Sequence, residues 1–195
     1  MAYGLRPVGF GGGGNTGYNT GGFTEYQMAD SYAVNTFAGD IIQINESSTG
    51  YAERQNGATG ESPTTGTANT LGVAVGFRYT DTNGTPTWSQ HWAQSGTDVY
   101  VMVADDPNQI FLIQGPAAFT IAQVGLNAAV TNFASSAGST STGNSGVTLA
   151  TPATGNAALR VLGCPKDGSN ESSSTPDLLV RWNFGVHYYA QNAAL

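Results

Sequence analysis

Residues 99–114 (VYVMVADDPNQIFLIQ) restrict the possible folds of this chain more than any other segment. Valines at positions 99, 101 and 103 alternate with other side chains, which is the period of a β-strand, and residues 110–113 form a second apolar run of strand length. Between them stands Ala-Asp-Asp-Pro-Asn, in which Asp and Asn favour turns and Pro107 cannot donate to a sheet ladder. The segment therefore predicts a central β-hairpin with a tight acidic turn.

The rest of the chain continues this pattern of short apolar runs between Gly-, Ser- and Thr-rich segments. The pattern predicts an all-β domain, a single β-barrel or a sandwich-like domain, of about eight short strands and one short helix. The best helical candidate is residues 117–130, where Thr120 can cap a single turn and Gly125 can end it. Asn83 followed by Gly84 predicts a further turn.

The last predicted strand shows the clearest alternation in the chain. Its expected faces are Val180, Trp182, Phe184 and Val186 on the buried side, and Arg181, Asn183 and His187 on a polar side that is exposed or lies at a subunit contact. Because aromatic and aliphatic residues continue beyond this strand, we expect the C-terminal tail to pack against the domain.

Residues 1–30 are predicted to form an extended, Gly-rich N-terminal arm, and residues 31–195 a β-rich core domain with long polar loops at 46–70 and 134–156. Four consecutive glycines at 11–14 make the arm costly to order on its own. Large apolar side chains nevertheless recur in it, which flexible linkers do not carry. We therefore expect the arm to dock on its own domain or on a neighbour, with a disordered terminus as the alternative. The docking residues would be Leu5, Phe10, Tyr18, Phe23 and Tyr26.

Charged residues are scarce in this chain. It has 13 acidic and 6 basic residues, a formal net charge of −7, and only 10% charged residues, against ~25% in an average domain. We expect no nucleic-acid partner, because phosphate recognition needs clustered Lys and Arg. We expect no membrane span, because no apolar run reaches about 18 residues. The N-terminus also lacks the apolar core of a secretion signal.

The nucleophilic and titratable residues do not form a recognisable catalytic motif. His91 is interpreted as a loop residue and His187 as an outer-face strand residue, and no Gly-x-Ser-x-Gly elbow occurs. Cys164 is the single cysteine and cannot form an internal disulfide. The apolar residues before it and Pro165 after it indicate a structural thiol rather than a catalytic partner of either histidine. We therefore expect no catalytic residues, no cofactor and no enzyme activity.

Two acidic turns match calcium-binding loops only in part. Residues 81–84 (DTNG) resemble the start of such a loop, but Trp92 stands where the bidentate glutamate belongs. Residues 105–108 (DDPN) offer oxygen ligands, yet a plain Asx turn is the favoured interpretation. We therefore expect no metal site.

Trp88, His91 and Trp92 form an aromatic cluster in the sequence, with Tyr79 nearby. Exposed aromatic clusters mark binding sites, so these side chains could form a platform on which a sugar stacks. A role in the core or at a subunit interface is more common for such residues and is the favoured interpretation.

Several segments of the chain together resemble the head decoration, or cement, proteins of tailed bacteriophages. They are residues 1–8 (MAYGLRPV), 71–77 (LGVAVGF), 100–107 (YVMVADDP) with 110–111, 124–128 (VGLNA) and 159–163 (LRVLG). Each segment is short and apolar, so the resemblance rests on their shared order along most of the chain. The chain departs from the family at the glycine run 11–14 and at the polar stretch 46–70.

The resemblance implies a structural virion protein, made in the host cytoplasm, that binds the outer surface of a phage capsid. Its partner would be the major capsid protein, whose neighbouring subunits it would cement together. The resemblance also implies a symmetric homo-oligomer, with a trimer favoured and a dimer left open. The alternative function is a carbohydrate- or receptor-binding module on a phage tail or virion surface.

Overall fold

The computed structural model describes residues 2–10, 22–45, 50–55, 70–133, 138–165, 168–183 and 187. These residues form fifteen strands, one 3-10 turn (Ile121–Gln123) and one four-residue helix (Gly168–Glu171). The strands are β1 (Arg6–Phe10), β2 (Thr24–Gln27), β3 (Thr36–Phe37), β4 (Ile41–Ile44), β5 (Ala52–Arg54), β6 (Thr70–Thr80), β7 (Pro86–Ser89), β8 (His91–Trp92), β9 (Thr97–Ala104), β10 (Gln109–Gln114), β11 (Asn127–Ala128), β12 (Val130–Thr131), β13 (Thr148–Leu149), β14 (Leu159–Gly163) and β15 (Asp177–Trp182). In this part of the chain, neither helical element is long and apolar enough to cross a membrane.

Two antiparallel sheets make up most of the structure. Sheet 1 has the strand order β1-β10-β15-β14-β11, and sheet 2 has the order β2-β9-β6-β4-β5, with β7 also paired to β6. Two further two-stranded ladders join β12 to β13 and β3 to β8. The predicted all-β class is confirmed, and the arrangement is sandwich-like.

Two apolar cores lie on the opposite faces of sheet 2. The first core joins both sheets, because it contains Phe111, Val180 and Trp182 from sheet 1 and Ile41 and Val73 from sheet 2. The second core covers the other face of sheet 2. It contains Met28, Ile42, Leu71, Phe77, Trp92 and Val101. Successive strand residues point to opposite faces, so Ile41 and Ile42 belong to different cores.

The predicted hairpin at residues 99–114 is wrong. Strand β9 pairs with β2 and β6 in sheet 2, whereas β10 pairs with β1 and β15 in sheet 1. The acidic turn between them therefore carries the chain from one sheet to the other. The side-chain Oδ1 of Asp106 accepts a hydrogen bond from the Asn108 N–H at 2.7 Å, which confirms the predicted Asx turn.

The predicted burial of the last strand is confirmed within Asp177–Trp182 but is wrong at His187. Within β15, Val180 and Trp182 are buried and Arg181 is exposed, as the alternation requires. His187 was expected on the exposed face, but it is buried and bridges to Thr70 of sheet 2. Phe184, Val186 and the tail 188–195 lie outside the described residues.

The two described parts of residues 1–30 are integral to the sheets. Strand β1 is an edge strand of sheet 1, paired with β10, and β2 is an edge strand of sheet 2, paired with β9. Leu5 is only 1% exposed and belongs to the first core. Backbone pairing and burial therefore attach these residues to the chain's own domain, one of the two docking targets expected for the arm. Residues 11–21, with the glycine run and Tyr18, lie outside the described residues.

The two predicted polar loops also contribute to the sheets. Strand β5 lies within 46–70 and pairs with β4, while residues 46–49 and 56–69 lie outside the described residues. Within 134–156, the short strand β13 pairs with β12, and Val147 and Leu149 are buried in the first core. The predicted short helical segment is confirmed as the 3-10 turn after Thr120, which Gly125 follows at a φ of +83°.

Candidate interaction surfaces

The aromatic residues Trp88, His91 and Trp92 do not form one platform. Trp92 lies in β8, is fully buried, and donates from its indole Nε1 to the carbonyl oxygen of Tyr32 at 3.0 Å. The imidazole of His91 is half-buried and stacks on the ring of Phe37 with centroids 5.7 Å apart. Only Trp88, on β7, faces solvent, with 63% of its surface exposed. A stacking site that uses both tryptophans is therefore wrong, because pairing of β8 with β3 turns Trp92 inward.

The five residues predicted to dock the arm also separate. Leu5 is a core residue and has no surface to offer a partner. Tyr26 is half-buried, and its hydroxyl donates to Oδ2 of Asp105 at 2.7 Å, which ties β2 to the turn between the sheets. Phe23 is 39% exposed and remains accessible. Tyr18 and the side chain of Phe10 lie outside the described residues.

Two pockets with common lining residues lie between Trp88 and the beginning of β1, and we call the pair the Trp88 groove. It consists of two adjoining pockets of about 380 and 270 Å3 that share Val75 and Gln90. Trp88 and Met102 line one end, and Tyr3, Arg6 and Asn144 line the other. Strand β6 forms part of its floor, because Ala74, Val75 and Gly76 lie along the two pockets.

Close backbone contacts bring the walls of this groove together. The Leu5 N–H donates to the carbonyl oxygen of Gly39 at 3.1 Å, and the Ala38 N–H donates to the carbonyl oxygen of Gln90 at 2.8 Å. Gly39 has a φ of +93°, and a Cβ there would lie 2.7 Å from the carbonyl oxygen of Tyr3. Only glycine fits this position, because both the backbone angle and the space exclude a side chain.

A cation and an aromatic ring close the far end of the groove. The guanidinium carbon of Arg6 lies 4.3 Å from the centre of the Tyr3 ring, which is cation–π geometry. The Tyr3 hydroxyl donates to Oδ1 of Asp177 at 2.5 Å. Burial, together with this bond and the charge of Asp177, raises the pKa of Tyr3 well above its ordinary value of 10.0. Tyr3 therefore stays protonated, and its hydrogen bond holds the ring in a fixed position under Arg6.

The remaining nucleophilic and titratable side chains make contacts within the fold. Sγ of Cys164 lies 3.4 Å from the carbonyl oxygen of Asp177 and 3.0 Å from Nδ2 of Asn170, in a small network that holds the start of β15. Burial lowers the pKa of His187 to about 4, so this imidazole is neutral at pH 7. Oδ1 of Asp81 accepts from the backbone N–H groups of Asn83 and Thr85, which forms the predicted turn at residues 81–84.

No group of three or more potential metal-ligating side chains occurs among the residues that the structure describes. The aromatic cluster in the sequence pointed to Trp88. Tyr3 and Arg6 lie in the resembling segment 1–8, but nothing in that segment indicated a binding site, and Asn144 belongs to no recognisable motif. No protein-family model, curated protein or solved structure matches this chain.

Proposed function

We propose that this chain is a structural protein of a bacteriophage particle that binds the outer surface of the capsid and cements neighbouring major capsid subunits. The proposal starts from the resemblance to head decoration proteins. The resembling segments coincide with framework strands of both sheets: residues 71–77 lie in β6, residues 100–104 in β9, residues 110–111 in β10, and Leu159–Gly163 is β14. Residues 105–107 and 124–126 of the resembling segments lie between strands, so the resemblance covers framework strands and some of their connections.

An uncharged segment with two exposed apolar side chains is the observation that carries the proposal. Residues 107–159 contain no Asp, Glu, Lys or Arg. Within this segment, Ile121 in the 3-10 turn has 80% of its surface exposed, and Val124 directly after the turn has 43% exposed. Apolar side chains clustered on a surface favour association, because contact with another protein removes them from water. A cement protein needs such a surface to bury area across the seams between coat subunits.

The proposal includes a symmetric homo-oligomer, with a trimer favoured, and assigns no catalytic residue and no cofactor. It places the protein on the outside of a virion, after synthesis in the host cytoplasm. Because residues 107–159 carry no charged side chain, binding through this segment should depend little on salt, unlike binding through ion pairs. The mass of the protein in solution tests the oligomer.

Capsid binding by a variant of the 3-10 turn tests the proposal. Capsids of the phage, assembled without this protein, would be mixed with the wild type or with the double variant Ile121→Ser, Val124→Ser. We expect the double variant to bind at least about tenfold more weakly with an unchanged denaturation midpoint, because both changed side chains face solvent. Tyr51→Ser is the matched control, since Tyr51 is also an exposed apolar residue, at 37%, on the edge hairpin of sheet 2.

Two results would contradict the proposal. One is a double variant that decorates capsids as well as the wild type does, in which case this surface is not the contact. The other is a copy number of only a handful in purified virions. A cement protein should be present in hundreds of copies, whereas the alternative, a receptor- or carbohydrate-binding module on the tail, should be present in a handful.

A further inference from the structure

We propose that the Trp88 groove binds a neutral oligosaccharide. This inference does not depend on capsid binding, because the groove and the 3-10 turn share no residue. The ligand would lie along β6, with one sugar ring on the indole of Trp88 and the following rings toward Arg6 and Asn144. Three properties of the groove support this ligand class: an exposed aromatic face, available amide groups and a nearly uncharged lining.

The exposed indole of Trp88 is the first argument. The other two tryptophans, Trp92 and Trp182, are buried in the two cores, whereas Trp88 keeps 63% of its surface in solvent at the rim of the groove. Its backbone is fixed by pairing with Arg78 across β7 and β6. The C–H groups of a pyranose ring form a flat apolar patch that stacks on such an indole. Stacking would remove apolar surface of both partners from water.

The amide side chains of Gln90 and Asn144 are the second argument. Their backbones are held in place, because the Gln90 carbonyl oxygen accepts from the Ala38 N–H and Asn144 forms a bridge with Ala38. In the part of the chain that the structure describes, neither side-chain amide has a protein hydrogen-bond partner. A planar amide presents a donor and an acceptor side by side, which suits the neighbouring hydroxyl groups of a sugar. The guanidinium of Arg6 adds donors at the same end.

The charge of the groove selects a neutral ligand. Among the described residues, Arg6 is the one ionised side chain along the two pockets, and neither pocket includes an acidic side chain. The net charge of −7 would repel a polyanionic glycan as it approaches the protein.

The larger pocket, about 380 Å3, falls within the ~300–1,000 Å3 range of small-molecule sites. Strand β6 pairs with β9 along one edge and with β4 and β7 along the other. Because both of its edges are paired, a peptide could not bind by adding a further strand to β6, and a ligand on the groove floor would contact side chains instead.

Tryptophan fluorescence offers a direct test, because Trp88 is the one tryptophan exposed to solvent. The full-length protein would be titrated with neutral hexasaccharides of glucose, galactose, mannose and N-acetylglucosamine, followed by acrylamide quenching and by calorimetry. We expect at least one hexasaccharide to shift the emission to the blue and to protect Trp88 from the quencher. Trp88→Ala should weaken its calorimetric affinity about tenfold or more, and Gln90→Ala should also weaken it.

Tyr51→Ala is the matched control, since it removes an exposed aromatic ring away from the groove and should leave sugar affinity unchanged. Unchanged denaturation midpoints would show that the groove variants remain folded. The proposal is overturned if none of the hexasaccharides binds, if Trp88→Ala binds as well as the wild type, or if only an acidic hexasaccharide or a peptide of the coat protein occupies the groove. Capsid binding by Trp88→Ala, measured in parallel, keeps this result separate from the proposed cement function.

Discussion

A single buried carboxylate should make the stability of the protein depend on pH. Asp40 accepts hydrogen bonds from the Phe37 N–H at 2.8 Å and from the Ser145 hydroxyl at 2.5 Å. Burial outweighs these bonds and raises the pKa of Asp40 from 3.8 to about 6. Between these two values the native state holds a proton that the unfolded chain lacks, so the free energy of unfolding rises as the pH falls through this window.

Comparison with Asp40→Asn isolates this contribution, because the amide side chain of the variant is neutral at every pH. The difference in the free energy of unfolding, wild type minus variant, should increase by up to roughly 3 kcal/mol between about pH 7 and about pH 4. Urea denaturation of both proteins at several pH values measures it. A difference that stays constant over this range would mean that the folded protein leaves Asp40 at its ordinary pKa.

The face assigned to β15 can be tested with two neighbouring residues. Trp182 is buried in the first core, and its ring meets the edge of the Phe111 ring with centroids 5.7 Å apart. Trp182→Ala should therefore lower the free energy of unfolding by about 3–5 kcal/mol. Arg181→Ala, one position away on the exposed face, should change it by less than about 0.5 kcal/mol. If the larger loss came from Arg181→Ala, the strand register would be off by one residue.

Residue type predicted burial only where a strand pattern supported it. Trp88 and Trp92 are close in the sequence and equally apolar, yet one faces solvent and the other is enclosed by the second core. The difference arises from strand pairing, because β7 is an edge strand on β6 while β8 pairs with β3. His187 was misassigned for a similar reason. Its polarity suggested an exposed face, but its contacts with the other sheet bury it.

At the scale of elements, the N-terminal segment makes the sharpest prediction. Leu5 precedes β1 and is buried in the first core, whereas Phe23 precedes β2 and is exposed. Leu5→Ala should lower the free energy of unfolding by about 2–5 kcal/mol, because it leaves a cavity among core side chains. Phe23→Ala should lower it by less than Leu5→Ala does, because 39% of the Phe23 surface is already in solvent. Equal, small effects of both changes would instead indicate that the N-terminal segment does not pack into the core domain.

The sequence predicted where the longer strands such as β6, β9 and β15 lie, but it missed several short ones, since the described residues form fifteen strands rather than about eight. It did not predict the strand partners. The valines of β9 and the alternation of β15 define one buried face each, which is local information. Pairing depends on contacts between distant segments, such as β1 with β10 and β2 with β9. A short turn can close a hairpin or cross between sheets, so residues 105–108 fitted both outcomes. The Gly-rich composition near β1 likewise led to the prediction of an arm, although β1 is a strand at the edge of sheet 1.

At the scale of the whole molecule, the candidate site is harder to predict than the fold. The Trp88 groove exists because segments from the N-terminus, from β6 and β7, and from the loop around Asn144 meet in space. Only its exposed aromatic end could be recognised from the sequence as a candidate binding site. The polar end depends on backbone contacts such as that of Ala38 with Gln90, which no local pattern encodes.

The arrangement of the two cores predicts that the protein unfolds in one step. On β6, Val73 belongs to the first core and its neighbour Ala74 to the second, so loss of either core exposes the other face of the same strand. Each core also contains one buried tryptophan, Trp182 in the first and Trp92 in the second. Two proteins that retain a single tryptophan can therefore report on the cores separately: Trp88→Phe with Trp92→Phe, and Trp88→Phe with Trp182→Phe.

In each of these proteins, the urea transition followed by tryptophan fluorescence should coincide with the transition followed by far-UV circular dichroism. The comparison is made within one protein, so the stability lost through each Trp→Phe change affects both signals equally. If the fluorescence of Trp92 changed at lower urea than the circular dichroism did, the second core would open before the sheets separate. The shared strand β6 argues against that order, because its backbone bonds to β4, β7 and β9 hold both faces in register.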